Sequence, residues 1–149
     1  SRRKGTRMGI LDKLFGAGRG RKDQARLQQG PEIVPLADRT PIATFEARLQ
    51  GVSDVNHDGS SRQAAIRRSA VGEETVLMQE PRPRGHPPVI AEWSATSGEQ
   101  LGTLPSDTSG YVLLQARRHD FRSSIQELPE QEDGGVEVVL QIEMFEKQA

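Results

Sequence analysis

Alternation of apolar and polar residues, the pattern of a half-buried β-strand, recurs along the chain between residues 41 and 146. Apolar residues occupy every second position from Phe45 to Leu49, and again from Val136 to Met144, which is the strongest periodic signal in the chain. Four shorter runs of strand character end at or near Pro or Gly, as strands do at turns. The sequence therefore predicts six strands, of which the middle four cover Thr75–Gln79, Val89–Ser94, Glu99–Leu104 and Phe121–Leu128.

Two short helices are predicted between the strands. Ser60 or Ser61 is a suitable N-cap for a helix that runs to about Arg68, and Ser106 suits a second helix over about Asp107–Arg118. Six short strands usually close into a small barrel, because closure removes unpaired edges. We therefore predict a mainly β fold with two short helices, built as a small six-stranded β-barrel.

The composition limits what such a fold can contain. A chain of 149 residues suits one domain, and a hydrophobic fraction of 34% with 4% aromatics predicts a modest core of Val, Leu and Ile. Cysteine is absent, which excludes disulfides and thiolate metal sites and suits a reducing cytoplasm. No apolar run approaches the roughly 20 residues that a membrane-spanning helix needs.

Charge is distributed unevenly along the chain. Residues 1–30 carry nine Lys or Arg and two Asp, about +7, and the remainder carries about −8, which together return the net charge of −1. This shift, with prolines at positions 31, 35 and 41, predicts a flexible basic arm over residues 1–40 and a barrel domain over 41–149. Since the acidic domain repels phosphate on average, nucleic-acid binding would have to come from a local arginine cluster or from the arm.

The arm contains one amphipathic piece. Ile10, Leu11, Leu14 and Phe15 are spaced to share one face of a helix of one to two turns. With the cations around it, this piece is a candidate for contact with an anionic membrane surface or a partner's groove. The alternative is disorder, which the shortness of the segment favours.

No residue pattern in the chain indicates catalysis or a cofactor. His57, His86 and His119 are about 30 residues apart and lack the spacing of zinc ligands. There is no nucleophile elbow of the G-x-S-x-G kind, and the glycine-rich run at 16–20 neither follows a strand nor precedes Lys-Ser or Lys-Thr, as a phosphate-binding loop would. We therefore expect a protein that is not an enzyme and carries no metal.

Binding is better supported. The loop Glu80–Pro88 carries Arg82, Arg84 and His86 among four prolines, and guanidinium groups suit phosphate or carboxylate oxygens. A rigid loop also lowers the ordering cost of binding. The alternative is a soluble connection between two strands. Arg117 and Arg118 are further candidates, with the alternative that they complement the dipole at the end of the second helix.

The order of these motifs resembles the HIRAN domain family over residues of about 43–146. The resemblance rests on Phe45–Val52, the Ser61-Arg62-Gln63 triplet, Glu80-Pro81, Ile90 and the closing Gln100–Pro105. HIRAN domains occur alone in bacteria and fused to DNA-remodelling helicases in eukaryotes. The resemblance implies a small barrel of the SH3 or OB kind that captures the 3′ end of single-stranded DNA with stacked aromatic rings.

This chain differs from the HIRAN family at the positions that hold the DNA end. Gly85 and His86 stand where the family has a tyrosine and an aspartate, and Thr103 replaces another usual tyrosine. Ser53 and Asp54 follow Gly51-Val52 where the family often has an aromatic residue. Stacking contributes roughly 1–3 kcal/mol per base, so arginines would have to supply the contacts that rings make in the family.

The leading hypothesis is a non-catalytic module that binds single-stranded nucleic acid through a degenerate end-reading pocket, in the cytoplasm. The binding residues would be Arg82, Arg84 and His86, supported by Arg117 and Arg118. The alternative hypothesis is a module that binds a protein or peptide on the same barrel.

Overall fold

The computed structural model of the protein describes residues 34–148. After a short 3₁₀ turn at Leu36–Asp38, the strands are β1 (Ala43–Arg48), β2 (Glu74–Gln79), β3 (Ile90–Ser94), β4 (Gln100–Thr103), β5 (His119–Glu127) and β6 (Val139–Glu146). Helix α1 (Arg62–Arg67) lies between β1 and β2, and helix α2 (Ser106–Gln115) lies between β4 and β5. The predicted mainly β fold of six strands and two short helices is confirmed.

All six strands belong to one antiparallel sheet, in the order β1-β6-β5-β2-β3-β4. The sheet curls until its two outermost strands meet at one end, where Gln50 and Thr103 exchange both backbone hydrogen bonds at 2.8 and 3.0 Å. Gly102 makes this approach possible, because a Cβ there would lie 2.7 Å from the carbonyl oxygen of Gln50. The result is a curled, partly closed barrel.

The core fills the concave side of the sheet. It consists mainly of aliphatic side chains, as the composition predicts, and every second residue of β6 contributes to it, as the alternation predicts. Helix α2 covers the mouth of the curl, with Val112 fully buried and the ring of Tyr111 packed edge-on against Phe45 at 5.8 Å. Each large aliphatic side chain buried in this way stabilises the fold by about 1.5–3 kcal/mol.

Helix α1 begins as predicted. The hydroxyl of Ser61 accepts a hydrogen bond from the backbone nitrogen of Ala64 at 3.1 Å, which satisfies one of the free N–H groups of the first turn. The helix packs against β4 and buries Ala65 and Ile66. It ends at Arg67, one residue before the predicted end.

Helix α2 differs from the prediction at both ends. Pro105 occupies the N-cap position and no side chain caps the helix, so Ser106 is the first helical residue and not the cap. The helix ends at Gln115 rather than at Arg118, because β5 already begins at His119 and pairs with β6. Arg117 and Arg118 therefore lie in the turn after the helix.

All three residues of the triplet Ser61-Arg62-Gln63 have structural partners, since Arg62 and Gln63 form contacts beside the cap made by Ser61. Arg62 donates to the side-chain oxygen of Asn56 at 2.8 Å and to the carbonyl of Gly51 at 2.9 Å. The side-chain amide of Gln63 pairs with both backbone groups of Val136 at 2.8 and 2.9 Å. These contacts tie α1 to the segments that follow β1 and precede β6, so the triplet serves the fold.

The last residues of the predicted arm contact the barrel. The guanidinium of Arg39 donates to the carbonyl of Glu146 at 2.7 Å, pairs with Asp120 at 3.1 Å and stacks over the ring of Phe145. The domain boundary at residue 41 stays a prediction. The candidate membrane-contact residues of the arm lie outside the described residues; they are Ile10, Leu11, Leu14 and Phe15. Within residues 34–148, no helix is long and apolar enough to cross a membrane.

Candidate functional site

A concavity of about 460 Å³ opens in the loop that joins β2 to β3. Its lining includes Arg82, Arg84 and His86, the three side chains of this loop that the sequence singles out for anion binding. All three residues are exposed to solvent. The fold thus brings the three loop residues together on one open, concave surface.

The loop is closed at its base and stiff along its length. The backbone nitrogen of Glu80 donates to the carbonyl of Val89 at 2.8 Å, which extends the β2–β3 ladder by one bond. At the tip, the nitrogen of His86 donates to the carbonyl of Pro83 at 3.1 Å, across Gly85 with a φ of 87°. Such a turn requires a positive φ at its third residue, which glycine adopts without strain. Four prolines fix φ elsewhere in the loop.

The guanidinium groups of this loop differ from most others in the domain. Within residues 34–148 there are ten arginines, of which five form salt bridges with carboxylates and a sixth donates to a backbone carbonyl. Those six are Arg39, Arg48, Arg62, Arg67, Arg68 and Arg122. The remaining four, whose guanidinium groups have no hydrogen-bond partner in this range, are Arg82, Arg84, Arg117 and Arg118. They are the four arginines that the sequence assigns to binding.

The two arginines after α2 are separate from the concavity. Arg117 and Arg118 are exposed, and neither belongs to the lining. The register places them nevertheless at the same end of the sheet as the loop, because β2 and β5 run antiparallel through the pair Thr75 and Ser123. The end of β2 and the start of β5 therefore lie at the same end of the sheet. The loop with Arg82, Arg84 and His86 follows the first, and Arg117 and Arg118 precede the second.

The lining of the concavity is mixed in charge. Glu80 contributes a half-buried carboxylate, and one of its oxygens accepts a hydrogen bond from the side chain of Gln100 at 3.1 Å. The lining contains no Phe, Tyr or Trp, and its one ring is the imidazole of His86. The concavity can therefore bind anions through two guanidinium groups and an imidazole, and it offers one carboxylate to a cation at its base.

A second polar feature lies inside the barrel, and the sequence reasoning missed it. Glu92 in β3 is completely buried among inward-facing side chains, between Leu77 of β2 and Gly102 of β4. One carboxyl oxygen accepts a hydrogen bond from the hydroxyl of Ser123 at 3.1 Å, and that hydroxyl lies 2.6 Å from the hydroxyl of Thr75. The other oxygen, Oε2, has no hydrogen-bond partner.

This environment favours the neutral form of the acid. Burial raises the pKa of Glu92 to about 8, and the hydrogen bonds from Thr75 and Ser123 oppose that rise only in part. No cation lies among its inward-facing neighbours of β2, β4 and β5. The sequence signal for this site is weak, because Glu92 and Ser94 alternate with Ala91 and Trp93, a pattern that by itself favours exposure of the carboxyl group.

The part of the chain that the structure describes contains no cluster of metal-ligating side chains. Within residues 34–148, no three side chains of His, Cys, Asp or Glu are grouped so that they could hold a metal ion. The ring of His119 lies 3.1 Å from the carbonyl of Gln115, which places it at the end of α2.

Comparison of the chain with protein-family models, with curated proteins and with solved structures returned no match.

Proposed function

We propose that this protein is a non-catalytic module, similar to HIRAN domains, that binds single-stranded nucleic acid at the loop between β2 and β3. The supporting observation is the coincidence of two features. The concavity of this loop is lined by Arg82, Arg84 and His86, and both arginines belong to the four whose guanidinium groups have no hydrogen-bond partner within residues 34–148.

Phosphate is the group that this loop recognises. Each guanidinium presents a planar fork of donors that matches two phosphate oxygens, and its flat face stacks on a base. The prolines restrict the backbone that carries both arginines, so less backbone entropy is lost on binding than in a flexible loop. Arg117 and Arg118 extend the positive surface at the same end of the sheet and attract the strand beyond the concavity. Glu80 keeps the phosphate at the rim, because its carboxylate repels anions from the base.

Affinity is expected to be modest and sequence-independent. Base-specific recognition needs stacked rings or donors placed on base edges, and the lining supplies one small ring, the imidazole of His86, and no Phe, Tyr or Trp. The absence of cysteine suits a protein that works in the reducing cytoplasm.

The test is a fluorescence titration of the full chain with a short labelled single-stranded DNA at several salt concentrations. About three phosphate contacts give a log–log salt slope near −2, since each contact on a single strand contributes roughly −0.7. The double variant Arg82→Ala with Arg84→Ala is expected to bind at least about tenfold more weakly, because a hydrogen bond to a charged group contributes about 1.5–3 kcal/mol. Its slope should fall to about −0.7.

A matched control removes the same charge elsewhere. Arg48 and Arg68 are exposed and paired with Glu137 and Glu99, so their double alanine variant also loses two positive charges at small cost in stability. It should bind the strand almost as tightly as the wild type. Equal losses in the two double variants would refute the assignment of the site to the loop.

A second titration compares oligonucleotides with free and blocked 3′ ends. Preference for the free end would support the end-reading mode of the HIRAN family, and equal binding would limit the function to phosphate contact along the strand.

Peptide binding at the same concavity is the second candidate function. It is favoured by the mixed charge of the lining, in which the carboxylate of Glu80 lies beside two arginines. A zwitterionic peptide motif would satisfy both signs, whereas a nucleic acid satisfies only one. Loss of oligonucleotide binding upon addition of a peptide with adjacent Lys and Asp would favour this candidate.

A further inference from the structure

The outer edge of β1 is open. Among the residues that the structure describes, β1 is the first strand of the sheet and pairs only with β6. Directly after β1, the backbone nitrogen of Leu49 donates to the carbonyl of Val138, which precedes β6. Backbone groups alternate in direction along a strand, so the other odd-numbered residues also direct their N–H and C=O groups toward β6. The N–H and C=O groups of Thr44, Glu46 and Arg48 therefore point away from the sheet, and within residues 34–148 they have no hydrogen-bond partner.

The barrel closes beyond this edge, and no part of residues 34–148 pairs with it. Gln50, two residues after β1, forms the bridge to Thr103 of β4. If pairing continued beyond this bridge, Arg48 would lie opposite Pro105. Pro105 has no N–H to donate, and the chain then turns into α2, so the pairing ends at the bridge. The open stretch is thus five residues long, the length of a typical recognition strand.

Exposed apolar side chains lie beside this edge. Ile42 directly precedes β1 and is 52% exposed. On α2, Tyr111 and Leu114 are 43% and 64% exposed, and they are one helical turn apart. The ring of Tyr111 packs against Phe45 of β1, which places this helix face on the inner side of the edge. An added strand would cover apolar surface as well as unpaired backbone groups.

The charges on the edge select the occupant. A second copy of this chain, added antiparallel about the centre of β1, would place Glu46 opposite Glu46 of the other copy, and like charges directly opposite are destabilising. The carboxylate of Glu46 accepts a hydrogen bond from the side-chain amide of Gln126 but forms no ion pair within residues 34–148, whereas Arg48 on the same edge is already paired with Glu137. The uncompensated charge of the edge is therefore negative and favours a Lys or Arg on the incoming strand.

We propose that the open edge of β1 binds an extended peptide segment of a partner protein by strand addition. The segment carries apolar residues at alternate positions toward Tyr111 and Leu114 and a basic residue opposite Glu46. This surface is separate from the loop concavity, so both can be occupied at once. Main-chain hydrogen bonds supply affinity in this mode, and the alternating side chains supply selectivity.

Proline substitution tests the edge without disturbing the sheet. The N–H of residue 46 takes no part in the β1–β6 ladder, so Glu46→Pro removes an outward donor and leaves the fold intact. Glu46→Ala is the matched control, since it also lacks the carboxylate but keeps the N–H. If Glu46→Pro does not fold, the pair Thr44→Pro and Thr44→Ala tests the same edge at another outward position.

The probe is a library of random dodecapeptides displayed on phage and selected on the full-length wild-type chain. Peptides with alternating apolar residues and one basic residue are expected, and their affinity for Glu46→Pro should be at least tenfold lower than for Glu46→Ala. Bound peptide should slow amide hydrogen exchange at residues 44, 46 and 48. The double variant Arg82→Ala with Arg84→Ala should bind these peptides normally, which separates this surface from the proposed nucleic-acid site.

Three outcomes would overturn the proposal: a selection that yields no peptide, peptides that bind the proline and alanine variants equally, or exchange protection confined to the β2–β3 loop. An oligonucleotide that slows exchange at residues 44, 46 and 48 would likewise contradict it, because nucleic acid would then be the occupant of the edge.

Discussion

Glu92→Gln is expected to stabilise the protein at neutral pH and to remove much of its pH dependence. The wild-type carboxyl group is completely buried, one of its oxygens has no partner, and no cation lies among its inward-facing neighbours. An ionised carboxylate in that position would lower the free energy of unfolding, because a buried charge without a cationic partner is costly. Glutamine has nearly the same shape and no charge, so it retains the contact with Ser123 and eliminates the ionisation.

The magnitude follows from the difference between folded and unfolded states. The pKa of Glu92 rises from 4.5 to about 8 on folding, because burial disfavours the charged form. Between these two values the folded state holds a proton that the unfolded state releases, so stability falls as the pH rises, by about 1.4 kcal/mol per pH unit. Over the interval of about 3.5 units, the loss amounts to about 5 kcal/mol, of which about 3 kcal/mol is already reached at pH 7.

The assay is urea-induced unfolding of wild type and variant at pH 5, 6, 7 and 8. The difference in unfolding free energy between Glu92→Gln and wild type should be smallest at pH 5 and grow by about 1.4 kcal/mol per unit toward pH 8. Other titrating groups are common to both proteins and cancel in the difference. Glu127→Gln, which changes an exposed carboxyl group of β5, should give a profile parallel to wild type. A difference that stays constant from pH 5 to pH 8 would refute the reasoning.

Two further substitutions test the closure of the barrel and the docking of α2. Gly102→Ala should lower the unfolding free energy by about 1–3 kcal/mol in urea titrations, because its Cβ would lie 2.7 Å from the carbonyl oxygen of Gln50. Gly110→Ala in α2 is the control: a Cβ there meets nothing within 4 Å, so the variant should raise the unfolding free energy by about 0.5–1 kcal/mol. If both glycines tolerate alanine equally, the close approach at the bridge is wrong. Ser109→Ala should cost about 1–3 kcal/mol in thermal or urea unfolding, since the buried hydroxyl accepts from the nitrogen of Ile90 at 3.0 Å and alanine leaves that donor unsatisfied. The exposed Ser106→Ala serves as its control, and an equal effect of the two would contradict the role of the buried hydroxyl.

The elements of the fold were predictable because their signals are local. Strand alternation, turn glycines and the capping hydroxyl of Ser61 are each decided by neighbours within a few residues, and each is confirmed. The end of α2 was not predictable in this way. Its last turn is displaced by the pairing of His119 with Glu146, a contact between distant parts of the chain that propensity does not encode.

The candidate site was predictable in part. Arg82, Arg84 and His86 lie in one short loop, so their proximity follows from the sequence, and the prolines predict its stiffness. That all four candidate arginines lack partners within residues 34–148 follows only from the tertiary structure, because it depends on which of the ten guanidinium groups of that range meets a carboxylate. The open edge of β1 depends likewise on strand order, which the sequence does not reveal.

The sequence by itself determined the number of strands, the two helices and the position of a cationic, proline-stiffened loop, since these depend on residue order at short range. The tertiary structure alone decided which face of β3 points into the barrel. Alternation puts Glu92 on one face and Trp93 on the other, but it does not say which of them turns inward. That choice followed from the curl of the whole sheet, in which β3 lies between β2 and β4 and directs Glu92 to the interior, with Leu77 and Gly102 on either side.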